Sequence, residues 1–139
     1  MTTRGIERLK EHGVSHEVLT YHHEVKGVRY AAQMLGLPDE IVIKSLIFQA
    51  NDGSFIFALM SGDGNVSEKK LARASGHKRV APASPHDAER VTGYQVGGSA
   101  PWERRSRFPS FSIARSRRTP KWSSTPVRVV LWFASRSRI

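Results

Sequence analysis

The alternation of apolar and polar positions divides the first hundred residues into short elements. Thr2 and Thr3 are candidate caps for a first helix that carries Ile6 and Leu9 on one face and stops at Gly13. Residues 16–21 read as a short strand, and 28–35 as a second helix closed by Gly36, after which Pro38 opens a turn. Residues 41–48, Ile-Val-Ile-Lys-Ser-Leu-Ile-Phe, are apolar and β-branched enough for a central strand. Asn51-Asp52-Gly53 is a hairpin signal, because Asp-Gly tolerates the positive φ of tight turns, and it returns the chain into a strand over 54–60. Residues 61–65 form a loop. Ser67 then caps a helix over 68–74 that closes at Gly76, and Val80 begins a short strand. Ser84-Pro85 starts a helix that runs through Val91 to Gly93, and residues 94–96 are expected to be a strand delivering Gly97 and Gly98. Helices and a hairpin are mixed without strict alternation, so the fold class is α+β, with a mixed, largely antiparallel sheet and flanking helices.

Charge changes this picture at its C-terminal end. Ten of the 22 Lys and Arg, but one of the 12 Asp and Glu, follow residue 100, so the last 39 residues carry +9 of the formal +10. That segment also holds all three Trp and is broken by Pro101, Pro109, Pro120 and Pro126. The chain divides into a core over 1–98 and a basic Arg/Ser/Pro-rich tail over 99–139, expected to be disordered. A basic tail can also grip RNA phosphates, which keeps a non-catalytic RNA-binding protein open as the alternative function. A small partner-binding domain is a third reading.

No cysteine is present, which excludes disulfides, thiolate metal sites and a Cys nucleophile. The first ten residues have no apolar signal region, and even an apolar run such as 129–134, which none exceeds in length, is far short of the roughly 20 residues that span a bilayer. The expectation is a soluble cytoplasmic protein. His22-His23 resembles a metal pair, but adjacent strand residues point to opposite faces, so no metal site and no cofactor are expected.

Lys44 is the foremost candidate for chemistry, because it interrupts an apolar run where a lysine is costly to bury without a partner or ligand. On a strand with one solvated face it would instead point to water. Ser45, Tyr21, Gly97 and Gly98 are the other candidates; adjacent glycines after a strand let backbone N–H groups approach a carbonyl or anionic oxygen.

These pieces resemble the YbaK-like, prolyl-tRNA synthetase-associated editing domains over about residues 3–98. The matching stretches are Tyr21, Ile43-Lys44-Ser45-Leu46, the loop 61–65 leading into Lys69-Lys70-Leu71-Ala72, and residues 88–98 ending in Gly97-Gly98. The resemblance implies an aminoacyl-tRNA deacylase that hydrolyses the ester between a wrongly attached Cys or Ala and the tRNA for proline. Such editing is needed because a pocket rejects a smaller side chain by only a few kcal/mol. By resemblance, Lys44 binds and orients the terminal adenosine or the aminoacyl group. Ser45 stands where Thr is usual, Tyr21 lines the pocket, and Gly97 and Gly98 present donors near the scissile carbonyl. The implied partners are mischarged tRNA for proline and prolyl-tRNA synthetase, with no DNA and no membrane. The attacking group is water or the substrate's own thiol.

After Gly98 the chain departs from the family's pattern, which continues with a proline-glycine turn, a basic pair and an apolar strand. The tail reads as an out-of-frame translation: permitted codons for residues 102–113, shifted by two nucleotides, encode GTKKPFPVFLD, the kind of segment the family carries there. On that reading the closing strands of the sheet are missing or replaced, the core is incomplete, and the product is marginally stable with weak or no activity.

Overall fold

A computed structural model describes residues 3–23, 27–95, 110–112 and 127–134. The helices begin where side-chain oxygens can replace missing backbone partners. Thr3 accepts from the Ile6 N–H to start α1 (Arg4–Glu11), whose buried face is Gly5, Ile6 and Leu9. Strand β1 (His16–His23) follows and extends the expected strand through both histidines. Helix α2 (Val28–Leu35) and a 3-10 turn (Asp39–Ile41) lead into β2 (Ile43–Ala50). The hairpin at Asn51-Asp52-Gly53 returns the chain as β3 (Phe55–Ser61), antiparallel to β2 with Ile43 opposite Ser61 and Lys44 opposite Met60.

Ser67 caps α3 (Glu68–Ser75) by accepting from the Lys70 N–H. Strand β4 (Val80–Pro82) pairs antiparallel with the far end of β2, and α4 (Pro85–Thr92) starts at the Ser84 cap with proline in its first turn. The large sheet has the order β4-β2-β3-β5, in which β5 (Ser110–Ser112) runs parallel to β3. A second sheet pairs β1 with β6 (Val127–Ala134), in parallel, from His16 opposite Val127 to His23 opposite Ala134.

The α+β class expected from the sequence is the one observed, with the antiparallel hairpin at the centre of the sheet and β4 antiparallel at its edge. Two expectations give way. Tyr94 and Gln95 are not strand: the Tyr94 N–H donates to Thr92 Oγ1, and the Arg4 guanidinium lies 5.2 Å from the centroid of its ring, which folds this stretch back on α4. Within the segment expected to lie outside the fold, residues 110–112 and 127–134 are strands. The apolar, β-branched run of 127–134 matches β1 in length and satisfies backbone groups that β1 would otherwise leave unpaired.

The main core lies on one face of the hairpin. Phe48 and Ala50 of β2 and Ile56 and Ala58 of β3 pack with Leu71 and Ala72 of α3 and Val80 of β4, with Leu46 and Val66 at the margin. Burying a residue such as Phe48 or Ile56 contributes about 1.5–3 kcal/mol. Side chains alternate across a strand, so this face of β2 is built from its even positions, 44, 46, 48 and 50. Lys44 is therefore the polar end of the stripe that carries the core.

Candidate functional site

The position of Lys44 follows from that stripe. It does not stand on a solvated strand face; it continues the core-bearing face to the point where α3 no longer covers it. Half-buried there, its ammonium donates one long hydrogen bond, 3.5 Å, to the Gly62 carbonyl oxygen. An ammonium has three donors, so two remain for a ligand.

Gly62 is held as tightly as any residue of the site. Its N–H donates to the Val42 carbonyl at 2.7 Å, tying the exit of β3 to the entry of β2. A β-carbon at this position would collide with Val28 Cγ1 and sit 2.6 Å from the Asp39 carbonyl oxygen. Only glycine lets the loop press against both α2 and the 3-10 turn. The loop then closes on itself: Ser61 Oγ donates to Asp63 Oδ1 at 2.9 Å, and the Gly64 N–H donates to the Ser61 carbonyl at 3.0 Å.

Between this loop and the start of α2 lies an open cleft of about 350 Å³, lined by residues 27–29, Lys44 and residues 62–65. That is the scale of a small-molecule site. Its charged groups are Lys44, Asp63 and Arg29, and the Arg29 guanidinium also reaches Asp39 at 3.6 Å. Arrayed in this way the cleft can take an oxygen-rich, small polar group against the Lys44 ammonium. Among the described residues no group of three His, Cys, Asp or Glu could hold a metal ion.

Of the residues singled out from the sequence, the structure brings Lys44 to the cleft. Ser45 is its neighbour on β2 and therefore faces the other side of the sheet, opposite Leu59 and away from the cleft. Tyr21 lies in β1 opposite Trp132, with its side chain outside what the structure describes. Gly97 and Gly98 lie outside the described residues. Sequence reasoning gives 61–65 as a loop that shares in the family resemblance but does not single out Gly62, and it does not raise Arg29; two glycines packed between a strand and a serine-capped helix are the signal that the loop is pressed against something.

Comparison with known proteins decides the lineage. Residues 22–106 match the model of the aminoacyl-tRNA editing domain. The chain belongs to that family. The editing domain is 27% identical over 111 residues, 78% of this chain and 68% of the relative, to an Enterococcus faecalis protein provisionally named Cys-tRNA(Pro)/Cys-tRNA(Cys) deacylase EbsC. It is 30% identical over 96 residues to the proline–tRNA ligase of Trichlorobacter lovleyi, where it covers 68% of this chain but spans 17% of the ligase. Among solved structures, the editing domain superposes with a TM-score of 0.62 and 22% identity, over 81% of this chain and 73% of the other, on a protein provisionally described as a trans-editing enzyme for prolyl-tRNA synthetase. At that identity the likeness speaks for the fold. The resemblance read from residues 43–46 and 61–72 thus holds at the level of family and fold, and Lys44 and the loop 62–65 lie within the matched range.

Proposed function

We propose that this chain is a trans-acting aminoacyl-tRNA deacylase, which hydrolyses the ester of a mischarged tRNA for proline in the cleft beside Lys44. One observation carries the reading. In a chain of the editing family, a half-buried ammonium with unused donors lines an open cleft bordered by a glycine loop. The names of the relatives support the substrate class: one is named for Cys-tRNA(Pro) and Cys-tRNA(Cys) and another is a proline–tRNA ligase.

In the reaction, water, or the thiol of a cysteinyl substrate, attacks the ester carbonyl. The bond between the carbonyl carbon and the tRNA oxygen breaks, that oxygen takes a proton to become the terminal hydroxyl, and the amino acid leaves as its carboxylate or as a thiolactone that water then opens. Lys44 holds the aminoacyl or ribose oxygens against the loop. By family resemblance, Gly97 and Gly98 donate to the carbonyl oxygen and Tyr21 lines the pocket, whereas Ser45, on the far face of β2, takes no direct part. The place of action is the cytoplasm, where aminoacylated tRNA is found, with prolyl-tRNA synthetase as the enzyme whose errors are corrected. The step in charge near residue 98 supports dividing the chain there into an editing core and a basic tail, although the family match runs on to residue 106 and residues 110–112 and 127–134 pair with β3 and β1.

The test is deacylation of Cys-tRNA(Pro) and Ala-tRNA(Pro) by the wild-type chain and by Lys44→Ala. Loss of a preorganised donor at a reacting ester lowers turnover by about 10²–10³-fold. Equal turnover by the two proteins removes both Lys44 and the cleft from the mechanism.

A further inference from the structure

The helix that leaves the cleft carries charges that the ester chemistry does not use. Lys69, Lys70 and Arg73 are exposed on α3, at spacings that place them on one side of the helix, while Leu71 and Ala72 are buried beneath. Lys78 and Arg79, also exposed, follow the end of α3. Their backbone is held in place: both N–H groups donate to Asn51 Oδ1 at 3.2 Å, and the Arg79 carbonyl accepts from the Asn51 N–H at 3.0 Å. Elsewhere on the surface Arg8, Arg29 and Arg90 each face a carboxylate, from Glu11, Asp39 and Asp87. Among the described residues none of the five basic side chains on and after α3 has an ion pair or a side-chain hydrogen bond. The acids nearby are Asp63 in the cleft loop, which accepts from Ser61; Glu68 in the first turn of α3; and Asp52, which is engaged by Ser54 and His77.

The direction of this row matters as much as its charge. The cleft loop ends at Asn65, Ser67 caps α3, and Lys69 and Lys70 stand in its first turn. The helix then runs about 12 Å, and Lys78 and Arg79 end at the hairpin tip, beside Asn51, seven positions along β2 from Lys44 or roughly 23 Å. An ester seated in the cleft is the end of a polynucleotide strand, and its phosphates must leave past the rim. A row of unpaired cations that starts at the rim and leads away from it is complementary to that strand.

We infer that Lys69, Lys70, Arg73, Lys78 and Arg79 form the phosphate-binding track for the acceptor end of tRNA, distinct from both the cleft and the basic tail. The inference rests on the deacylase reading for the orientation of the strand. The track positions the substrate and takes no part in ester cleavage.

The experiment uses the full chain, tail included, and the triple variant Lys69→Gln/Lys70→Gln/Arg73→Gln. Each protein is assayed on mischarged tRNA(Pro) and on the corresponding aminoacyl-adenosine ester, which has no phosphate strand, across a salt series. For the triple variant, KM on tRNA rises roughly tenfold or more at low salt, and the slope of log affinity against log salt falls in magnitude by about 2–3, near 0.7–0.9 for each phosphate no longer neutralised. Turnover of the adenosine ester is unchanged. Lys78→Gln/Arg79→Gln moves the same readouts in the same direction by less and serves where the triple variant fails to fold. Wild-type KM and salt slope on tRNA in both variants overturn the inference, as does an equal loss on both substrates. If the wild-type chain cleaves neither substrate, the deacylase reading fails on its own, and binding of uncharged tRNA(Pro) followed by fluorescence anisotropy decides the track: a reduced salt slope in the variants supports it, and an unchanged slope overturns it.

Discussion

The two ends of β2 hold comparable numbers of polar groups and use them differently. At the hairpin end, Ser54 Oγ donates to Asp52 Oδ1 at 2.6 Å, the Ser54 N–H donates to the same oxygen, and the His77 ring lies 3.3 Å from the other carboxylate oxygen and 3.0 Å from Ser75 Oγ. Asn51 meanwhile accepts from two backbone N–H groups. Each of these four groups, Asn51, Asp52, Ser54 and His77, is answered by another group of the same chain. At the cleft end Lys44 has a single long bond to a carbonyl, beside an open cleft. A serine, a histidine and an aspartate in contact suggest catalysis by composition alone, but at the hairpin they are a clasp: Ser54 gives its proton to Asp52, so it is not poised as a nucleophile. What marks a site is unspent hydrogen-bonding capacity next to open volume.

That contrast can be broken by mutation at either end. The largest effect belongs to Lys44→Ala: deacylation falls by about 10²–10³-fold, while the urea midpoint stays near that of the wild type. A drop in midpoint with intact turnover would make Lys44 part of the clasp class instead. Gly62→Ala comes next, because the added carbon meets Val28 and the Asp39 carbonyl; overpacking of this kind costs about 1–3 kcal/mol, read by urea denaturation, and turnover falls as the loop is pushed into the cleft.

Smaller effects sharpen the other side of the comparison. Hydrogen bonds from Ser54, with a contribution from His77, hold the Asp52 carboxyl below its ordinary value of 3.8. A carboxylate depressed in the folded state adds stability above its unfolded pKa, and that stability is lost as pH falls through the folded value. Asp52→Asn therefore lowers the melting temperature at pH 7 with turnover unchanged, and the difference from wild type shrinks below pH 3.8. A constant difference across that range would show that the ionised clasp contributes nothing. Smallest of all is Ser45→Ala. Its hydroxyl leaves β2 on the face opposite the cleft, so deacylation of tRNA is expected to be unchanged; a marked loss would show that both faces of the strand serve the reaction.

Much of the fold was legible because its signals are local. Thr3, Ser67 and Ser84 mark the starts of α1, α3 and α4, and each accepts a backbone N–H as a cap should. Asn51-Asp52-Gly53 marks the hairpin, with Gly53 at φ 85. Lys44 stands out because a charge within an apolar run needs an explanation. Alternation shows that two faces exist but not which one α3 covers, so whether Lys44 meets water or a cleft is decided only by packing. The same limit hides the roles of Gly62 and Arg29, which depend on how closely α2 and the 3-10 turn approach. Tyr94 and Gln95 have strand propensity, and the contacts of Tyr94 with Thr92 and with Arg4, ninety positions earlier, accompany their place outside a strand. The pairing of β1 with 127–134 lies beyond any local signal as well.

That last pairing also sets an order of events. His16 meets Val127 and His23 meets Ala134, so β1 waits for a partner more than a hundred residues further along the chain. During synthesis the hairpin and α3 can close within a few dozen residues of one another, whereas β1 leaves the ribosome with one row of backbone donors and acceptors unanswered until residues 127–134 have been made. A nascent chain halted before residue 127 would carry a finished cleft beside an open strand, available to any other strand of matching length.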